Sequence, residues 1–356
     1  MKAITVGLDI AKSVFQVHGE DAEGRIIVQR RLRRSQMAEF FARLPASVVG
    51  IEACGSAHYW GRKLRALGHE VRLIPAAYVK PFVRRNKTDA RDAAAIGTAL
   101  KHPDMRFLGF QTGLGAWAGN PRMALKSAEQ QASRGLERAR ELLVKQHTQL
   151  RNSVRSQLAE HGLVAAQGRR GFAQLAALPE AGDARIPAAL VPVLRLLLEQ
   201  IERLAAAIAQ LEGRIVAAAK ADPAMRRLAT IPGVGPILAH AIVAAAGAGR
   251  QFGSARNFAA WAGLTPRTHS SAGKRRDKGI SRQGDSRLRK LFALGASTVM
   301  RSVRMRSDRA TAWQRGILAR RPVKVAVLAQ AAKTARIAWA VLVSGEVYQP
   351  RPARAA

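Results

Sequence analysis

Between Leu190 and Ile215 the apolar residues fall at Leu190, Leu194, Leu197, Ile201, Leu204, Ile208, Leu211 and Ile215, in alternating steps of four and three with no miss. A strand would send such residues to both of its faces, whereas a helix gathers them into one seam. The run covers about 38 Å at 1.5 Å per residue, and a seam of that length needs a cover. Glu129 to Gly162 offers one, with Leu136, Leu143 and Leu150 at sevens and Val154 and Leu158 after them. A stretch punctuated by Gly and Pro, Gly168 to Pro187, separates the two. The spacing predicts an antiparallel helical hairpin or a dimerising coiled coil, and its regularity favours self-association over a plain bundle.

The first hundred residues follow a different rhythm. Ile4 to Leu8, Val14 to His18 and Ile26 to Leu32 read as three successive strands, with Glu20-Asp21-Ala22-Glu23-Gly24 as one of the turns. Ser35 is the expected N-cap of a helix through Leu44. A short apolar strand, Val48 to Glu52, follows. His58 to Leu67 then forms a helix stopped by Gly68, Val71 to Ile74 another strand, and Thr88 caps a helix from Asp89 to Leu100. Three strands in a row, then helix alternating with strand, describe a mixed α/β sheet.

Charge narrows the function. Lys and Arg number 59 against 24 Asp and Glu, a net charge of +35. That excess calls for a polyanionic partner, nucleic acid first, and suits RNA as well as DNA. Charge alone does not separate an enzyme from a histone-like binder. The 356 residues allow two or three domains. The single cysteine, Cys54, has no partner for an internal disulfide and is expected to be a buried structural thiol in a reducing, cytoplasmic compartment. Asp9 and Lys12 interrupt any signal-peptide pattern, and Lys324, Lys333 and Arg336 break the most apolar segment, Val323 to Val343.

Against this basic background four acids stand out. Asp9 in Gly7-Leu8-Asp9-Ile10 and Glu52 in Gly50-Ile51-Glu52-Ala53 close apolar strands. Asp89 and Asp92 begin a helix three apart, on one face. A protein that only neutralises phosphate gains nothing from carboxylates at strand ends. A phosphodiester-cutting enzyme needs them to hold Mg²⁺, and strand carboxyl ends are where sites gather in such sheets. For Asp89 and Asp92 the alternative is a favourable interaction with the helix dipole.

The C-terminal third carries the other signals. Ile231-Pro232-Gly233-Val234-Gly235-Pro236 feeds an Ala-rich helix, so Gly233 and Gly235 are placed to offer backbone N–H groups to phosphate, as in helix-hairpin-helix elements. A short helix from Ser254 to Gly263 puts Phe258 and Trp261 on its apolar side. From Arg267 to Lys290 nine Lys or Arg face only Asp277 and Asp285. That segment reads as a phosphate-gripping loop through Arg267, Lys274, Arg275, Arg276, Lys278 and Arg282. Ser270 and Ser271 lie inside it; serines in such loops most often serve only as phosphate ligands, and the alternative is a phosphoryl acceptor, whose developing charge the cations would stabilise. Gly109 to Pro121 reads as a loop or boundary, with Trp117 either anchoring it, the commoner outcome, or stacking on a base.

These motifs together resemble the DEDD transposases of the insertion-sequence one-ten family, relatives of the pilin-gene-inverting recombinases. The resemblance runs through residues 7–12, 50–58, 86–93, 231–235, 263–267, 270–274, 280–285 and 335–340, in the expected order. It implies an RNase H-like, RuvC-like N-terminal domain (1–108) with Asp9, Glu52, Asp89 and Asp92 as metal-binding carboxylates. It further implies a linker (109–127), a coiled-coil helical region (128–222), a mainly α transposase domain (223–346) and a tail (347–356). It implies a nucleophilic serine, mapped to Ser271 with Ser270 adjacent, a structured guide RNA, and dimers that pair into a tetramer. Residues 109–126 differ from the short charged linker of the family, and Ala272 stands where Gly is common. The expected activity is Mg²⁺-dependent DNA strand cleavage and exchange. The alternative is a junction-resolving endonuclease that uses the same carboxylates with water as attacker.

Overall fold

The computed structural model describes residues 5–83, 88–102, 125–271, 274–306, 308 and 310–350, with the side chains at 268–278 outside that description. The 109–121 segment with Trp117 lies outside the described residues.

The N-terminal part is a five-stranded mixed sheet. Its elements are β1 (Thr5–Ile10), β2 (Val14–Glu20), β3 (Ile26–Arg33), α1 (Met37–Arg43), β4 (Val48–Glu52), α2 (Ala57–Ala66), β5 (Glu70–Ile74), α3 (Ala76–Val79) and α4 (Asp89–Lys101). The strand order is β3-β2-β1-β4-β5. The first three strands pair antiparallel, and β4 and β5 continue from β1 in parallel. Alternation sorts the side chains onto two faces. Val6, Leu8, Val49, Ile51, Val71 and Leu73 pack with Met37 and Phe41 of α1 and Trp60 and Leu64 of α2. The opposite face receives α4, whose Ala95, Ile96, Ala99 and Leu100 are buried.

Helix α4 can lie there because the sheet offers glycine. A Cβ on Gly7 would stand 2.1 Å from the Ala93 carbonyl oxygen and 2.5 Å from the Gly97 nitrogen, and one on Gly50 would meet Ile96 and Leu100 at 3.1–3.3 Å. Thr88 caps the helix as expected, accepting from the Arg91 amide. At its other end Lys101 pairs with Glu20, which also takes a 2.8 Å contact from buried His18. Burial opposes ionisation of Glu20, but hydrogen bonds from Lys101 and His18 outweigh it and hold the carboxyl below its usual range. Two expectations are corrected. Ser35 lies inside a 3-10 turn, Arg34–Gln36, and is not a helix N-cap; Gln36 instead bonds back to the Arg33 amide, and α1 starts only at Met37. Cys54 is exposed, because β4 ends at Glu52 and the thiol falls in the turn before α2.

Next come α5 (Ala128–Ala159), α6 (Arg169–Ala181) and α7 (Val191–Ala221). The seam is covered within the chain from Leu190 to Ile201, while Leu204, Ile208 and Leu211 stay half-buried. Leu194 and Ile201 of α7 pack with Val154 and Leu158 at the far end of α5, while Arg140 near the start of α5 hydrogen-bonds Glu212 near the end of α7 at 2.8 Å. The pair is therefore antiparallel, and α6, in the segment read from sequence only as a Gly/Pro-punctuated separator, fills the closed end with Phe172 and Leu175.

The C-terminal part contains α8 (Pro223–Ala229), α9 (Pro236–Ala246), α10 (Ala255–Trp261), β6 (Pro266–Ser271), β7 (Lys274–Ile280), α11 (Ser286–Met305), α12 (Ala312–Arg320) and α13 (Val323–Ser344). The basic segment expected to be a loop is instead an antiparallel hairpin of β6 and β7. Its residues lack an apolar face, so alternation gave no strand signal; register is supplied by the backbone ladder. Among the described residues α13 alone is long and apolar enough to cross a membrane, yet Ala331, Ala335, Ala338 and Val341 are buried in the core of this domain.

One junction joins the three parts. Arg62 of α2 donates to the Lys126 carbonyl and to Gln131, both at 2.7 Å, and the Lys126 amide donates to His58 Nδ1 at 3.2 Å. Arg134 of α5 reaches Asp285, the N-cap of α11, at 2.7 Å. Burial, then the cations Lys126, Arg62, Arg134 and Arg138, push His58 down to about 4, and burial with Arg134 pushes Lys126 down to about 8.

Two predictions follow from these contacts. Gly7→Ala forces a methyl into the α4 backbone, and thermal or urea unfolding should show a loss of about 1–3 kcal/mol, the scale of overpacking; wild-type stability in that variant would refute the close-packing account. For His58 the folded pKa lies below the unfolded one, so its share of stability is complete above about 6.5 and is lost as pH falls towards 4. His58→Asn keeps an acceptor for the Lys126 amide without titrating. The Tm gap between wild type and variant should change between pH 6.5 and 4 and stay flat above it.

Candidate functional site

Strand alternation gives the site its direction. Side chains two apart share a face, so Asp9 points the same way as Gly7, and Glu52 the same way as Gly50. Both glycines contact α4. The carboxylates therefore emerge on the α4 side, one step past the point where the helix touches the sheet. The parallel register pairs Leu8 with Ile51, which sets Asp9 and Glu52 on neighbouring strands at the same level. From α4, Asp89 and Asp92 project from the first turn.

The result is a cluster. Asp9, Asp89 and Asp92 each offer an oxygen within 4.8 Å of the others. Asp9 and Asp92 are half-buried, and Asp89 is exposed. Glu52, half-buried at the end of β4, stands on the adjacent strand outside that 4.8 Å set. Three like charges this close repel strongly unless a cation sits among them. All the donors are carboxylate oxygens, a hard set that suits an octahedral divalent ion of the Mg²⁺ or Mn²⁺ type and lacks the nitrogen or sulfur ligands that zinc prefers.

The second group of expected residues lies in the C-terminal part. Ser270 and Ser271 are in β6, paired across the hairpin with Arg275 and Lys274. Arg276 pairs with His269 and Lys278 with Arg267, whose side chain is exposed. The side chains of Ser270, Ser271, Lys274, Arg275, Arg276 and Lys278 lie outside the described residues. The hairpin base is held by the Ser281 amide on the Thr265 carbonyl at 2.8 Å and the Arg282 amide on the Gly263 carbonyl at 3.3 Å. Arg282, exposed, takes φ +57, a left-handed backbone that non-glycine residues seldom adopt. From this base α11 starts at Ser286, capped by Asp285, whose carboxylate accepts from the Arg287 and Leu288 amides. Burial works against that carboxylate, but Arg134 and the Leu288 amide outweigh it and hold its pKa down.

The Gly-rich turn of 231–235 has a structural duty that its sequence did not announce. Gly233 takes φ +85, and a Cβ there would lie 2.8 Å from the Gly295 carbonyl oxygen of α11. Gly235 has open space around it and caps α9. The turn and α11, with Arg140, Glu137 and Arg287, line a cavity of about 660 Å³. Glu137 is buried and bridges His240 Nδ1 at 2.8 Å and Arg287 at 3.1 Å, tying α5, α9 and α11 together.

Sequence reasoning missed the ties that orient the two groups: Glu20 to Lys101, Arg134 to Asp285, and Glu137 to His240 and Arg287. The glycines two residues before Asp9 and before Glu52 were a readable signal, since the same Gly-x-acid pattern closes two parallel strands.

Comparison with known proteins finds a family for each end of the chain. Residues 6–112 match the model of a DEDD transposase domain of the IS110 type, described as "Transposase", and residues 225–312 match the "Transposase IS116/IS110/IS902 family". The chain is 44% identical over 354 residues to a probable family 20 transposase of Pseudomonas aeruginosa, covering 98% of this chain and 100% of that protein. It is 36% identical to the transposase for insertion sequence element IS1111A of Coxiella burnetii, over 98% and 92% of the two chains. It is 34% identical to the transposase for element IS1328 of Yersinia enterocolitica, over 96% and 98%. With both domain models matched in order and full-length relatives at this identity, the chain belongs to the IS110 family of insertion-sequence transposases.

Proposed function

We propose that this transposase cuts and rejoins DNA through a phosphoserine intermediate, with Asp9, Glu52, Asp89 and Asp92 as the carboxylates of a Mg²⁺ site and Ser271 as nucleophile. The observation that carries the reading is the convergence of Asp9, Asp89 and Asp92 beside the strand end that bears Glu52. The sheet order β3-β2-β1-β4-β5 supports an RNase H-like, RuvC-like fold for that part. Bound there, Mg²⁺ would supply Lewis-acid polarisation of the scissile phosphate and stabilise charge on the leaving oxygen.

The Ser271 hydroxyl attacks the phosphorus; the Oγ–P bond forms, the bond to one DNA oxygen breaks, and the serine proton leaves to solvent or a nearby base while the released DNA oxygen gains one. In the second step a DNA hydroxyl attacks the phosphoserine, and Oγ departs with a proton restored. The number of phosphodiester bonds is conserved, so the exchange needs no external energy source. Arg267, Lys274, Arg275, Arg276, Lys278 and Arg282 line the hairpin with positive charge that positions the strand, and Gly235 at the start of α9, beside Gly233, offers a backbone contact to phosphate. A structured RNA from the element's noncoding end supplies target choice in this reading, because the chain carries charge in abundance and no base-reading motif. The protein acts in the cytoplasm, on the nucleoid. The half-buried Leu204, Ile208 and Leu211 of α7 support assembly into dimers and tetramers, in which carboxylates of one subunit meet the serine of another.

The test is a cleavage reaction with Mg²⁺, element-end DNA and RNA transcribed from the flanking noncoding region, resolved on a denaturing gel. A protein–DNA adduct is expected from wild type, retained in Ser270→Ala and lost in Ser271→Ala. Nicked DNA without adduct, indifferent to Ser271→Ala, would mean a water-using junction endonuclease. Asp9→Asn and Asp92→Asn should each lower cleavage by on the order of 10²–10³-fold, the scale of losing one electrostatic stabiliser of developing charge. Both should also abolish the rise in Tm that Mg²⁺ gives the wild type; cleavage or a Mg²⁺ response persisting in both variants would sink the metal assignment.

A further inference from the structure

The stretch from Ser286 to Gly345 contains thirteen Lys or Arg and a single acid, Asp308. Those cations are not spread evenly in space. Towards the end of α11 and the start of α13 a groove of about 510 Å³ opens, with Met300, Val327 and Leu328 among its apolar lining and Arg301, Arg304 and Lys324 along its edges. All three cations are exposed. Among the described residues no carboxylate pairs with any of them, whereas Arg287, at the other end of α11, is tied to Glu137. Three unpaired cations around one concavity repel one another, and a polyanion relieves that cost.

The groove is not part of the hairpin. From Ser286 to Arg304 the helix rises about 27 Å, which is the length of about eight base pairs at 3.4 Å each. Lys290 and Leu294 are exposed on the way, in helical steps that lead to Arg301.

We propose that the groove between α11 and α13 is a second DNA-binding surface, in which Arg301, Arg304 and Lys324 grip the phosphate backbone of the duplex about eight base pairs from the strand held at the β6–β7 hairpin. This rests on the reading of that hairpin as the place of cleavage. The choice of duplex over single strand rests on the span: exposed Lys290 in the first half of α11 and exposed Arg301 and Arg304 near its end match a stiff, evenly spaced phosphate ladder. Contacts of this kind are sequence-independent and salt-sensitive. They would fix the direction in which DNA leaves the site.

The experiment compares a 12-base-pair duplex centred on the cut with a 40-base-pair duplex, by fluorescence anisotropy across a salt series, for wild type and the triple variant R301Q/R304Q/K324Q. For the long duplex the variant should bind roughly tenfold more weakly at moderate salt, and the slope of log affinity against log salt should shrink by about 3, one per lost phosphate contact. The short duplex should bind and be cut equally by both proteins. A third arm uses single-stranded RNA of matched length and should show no difference. Equal affinity for the long duplex, an equal loss on the short one, or a loss confined to RNA would each overturn the proposal. R301K/R304K, which preserves charge, should restore the long-duplex affinity and so separates a charge effect from a folding defect. If wild type cuts neither duplex, the cleavage reading fails, while the length-dependent affinity still decides the surface.

Discussion

The close seating of α4 on β1 and β4 is the constraint on which the site depends. A helix normally stands off a sheet by the length of two side chains. Here Gly7 and Gly50 remove one of those layers, and the backbone of α4 comes within van der Waals contact of β1. Only at that separation can Asp89 and Asp92 reach the carboxylate of Asp9. The tie between Lys101 and Glu20, backed by His18, fixes the far end of the helix and so its tilt. The same feature that closes the core therefore sets the spacing of the acidic cluster.

Charge is organised at two scales. At long range the excess of +35 draws in nucleic acid. At short range a few buried or half-buried ion pairs connect elements far apart in sequence: Arg134 with Asp285, and Glu137 with both His240 and Arg287. Such pairs add little net stability, because desolvation offsets most of their attraction, but breaking one leaves a costly unpaired charge. Their value here is geometric. They hold the start of α11, and with it the base of the serine-bearing hairpin, against the long helix that follows the sheet domain. The neutral His58 belongs to the same junction, kept uncharged by burial and by the cations around it.

Regular patterns were legible where one face meets a core. Short apolar runs marked β1, β4 and β5, and the three-and-four spacing marked most of α7, because strands covered by helices and a helix seam on a core both leave a mark in the sequence, although β1 runs two residues and α7 six residues beyond the marked stretch. Asp9, Glu52, Asp89 and Asp92 stood out for the opposite reason, as acids at element ends in a basic chain. The β6–β7 hairpin was misread as a loop, since both of its faces are polar and period two has nothing to mark. Cys54 was misplaced by two residues of strand, enough to exchange burial for exposure.

By itself, then, the sequence determined the two periodicities, the order of the parts and the four candidate carboxylates, all of which are local or compositional. The tertiary structure decided whether the α7 seam is covered within the chain, which carboxylates approach one another and which cations are left without partners. Those depend on distances between residues far apart in the chain. A glycine's missing Cβ or an arginine's choice between Glu137 and solvent changes such distances by several ångströms without altering any periodic pattern.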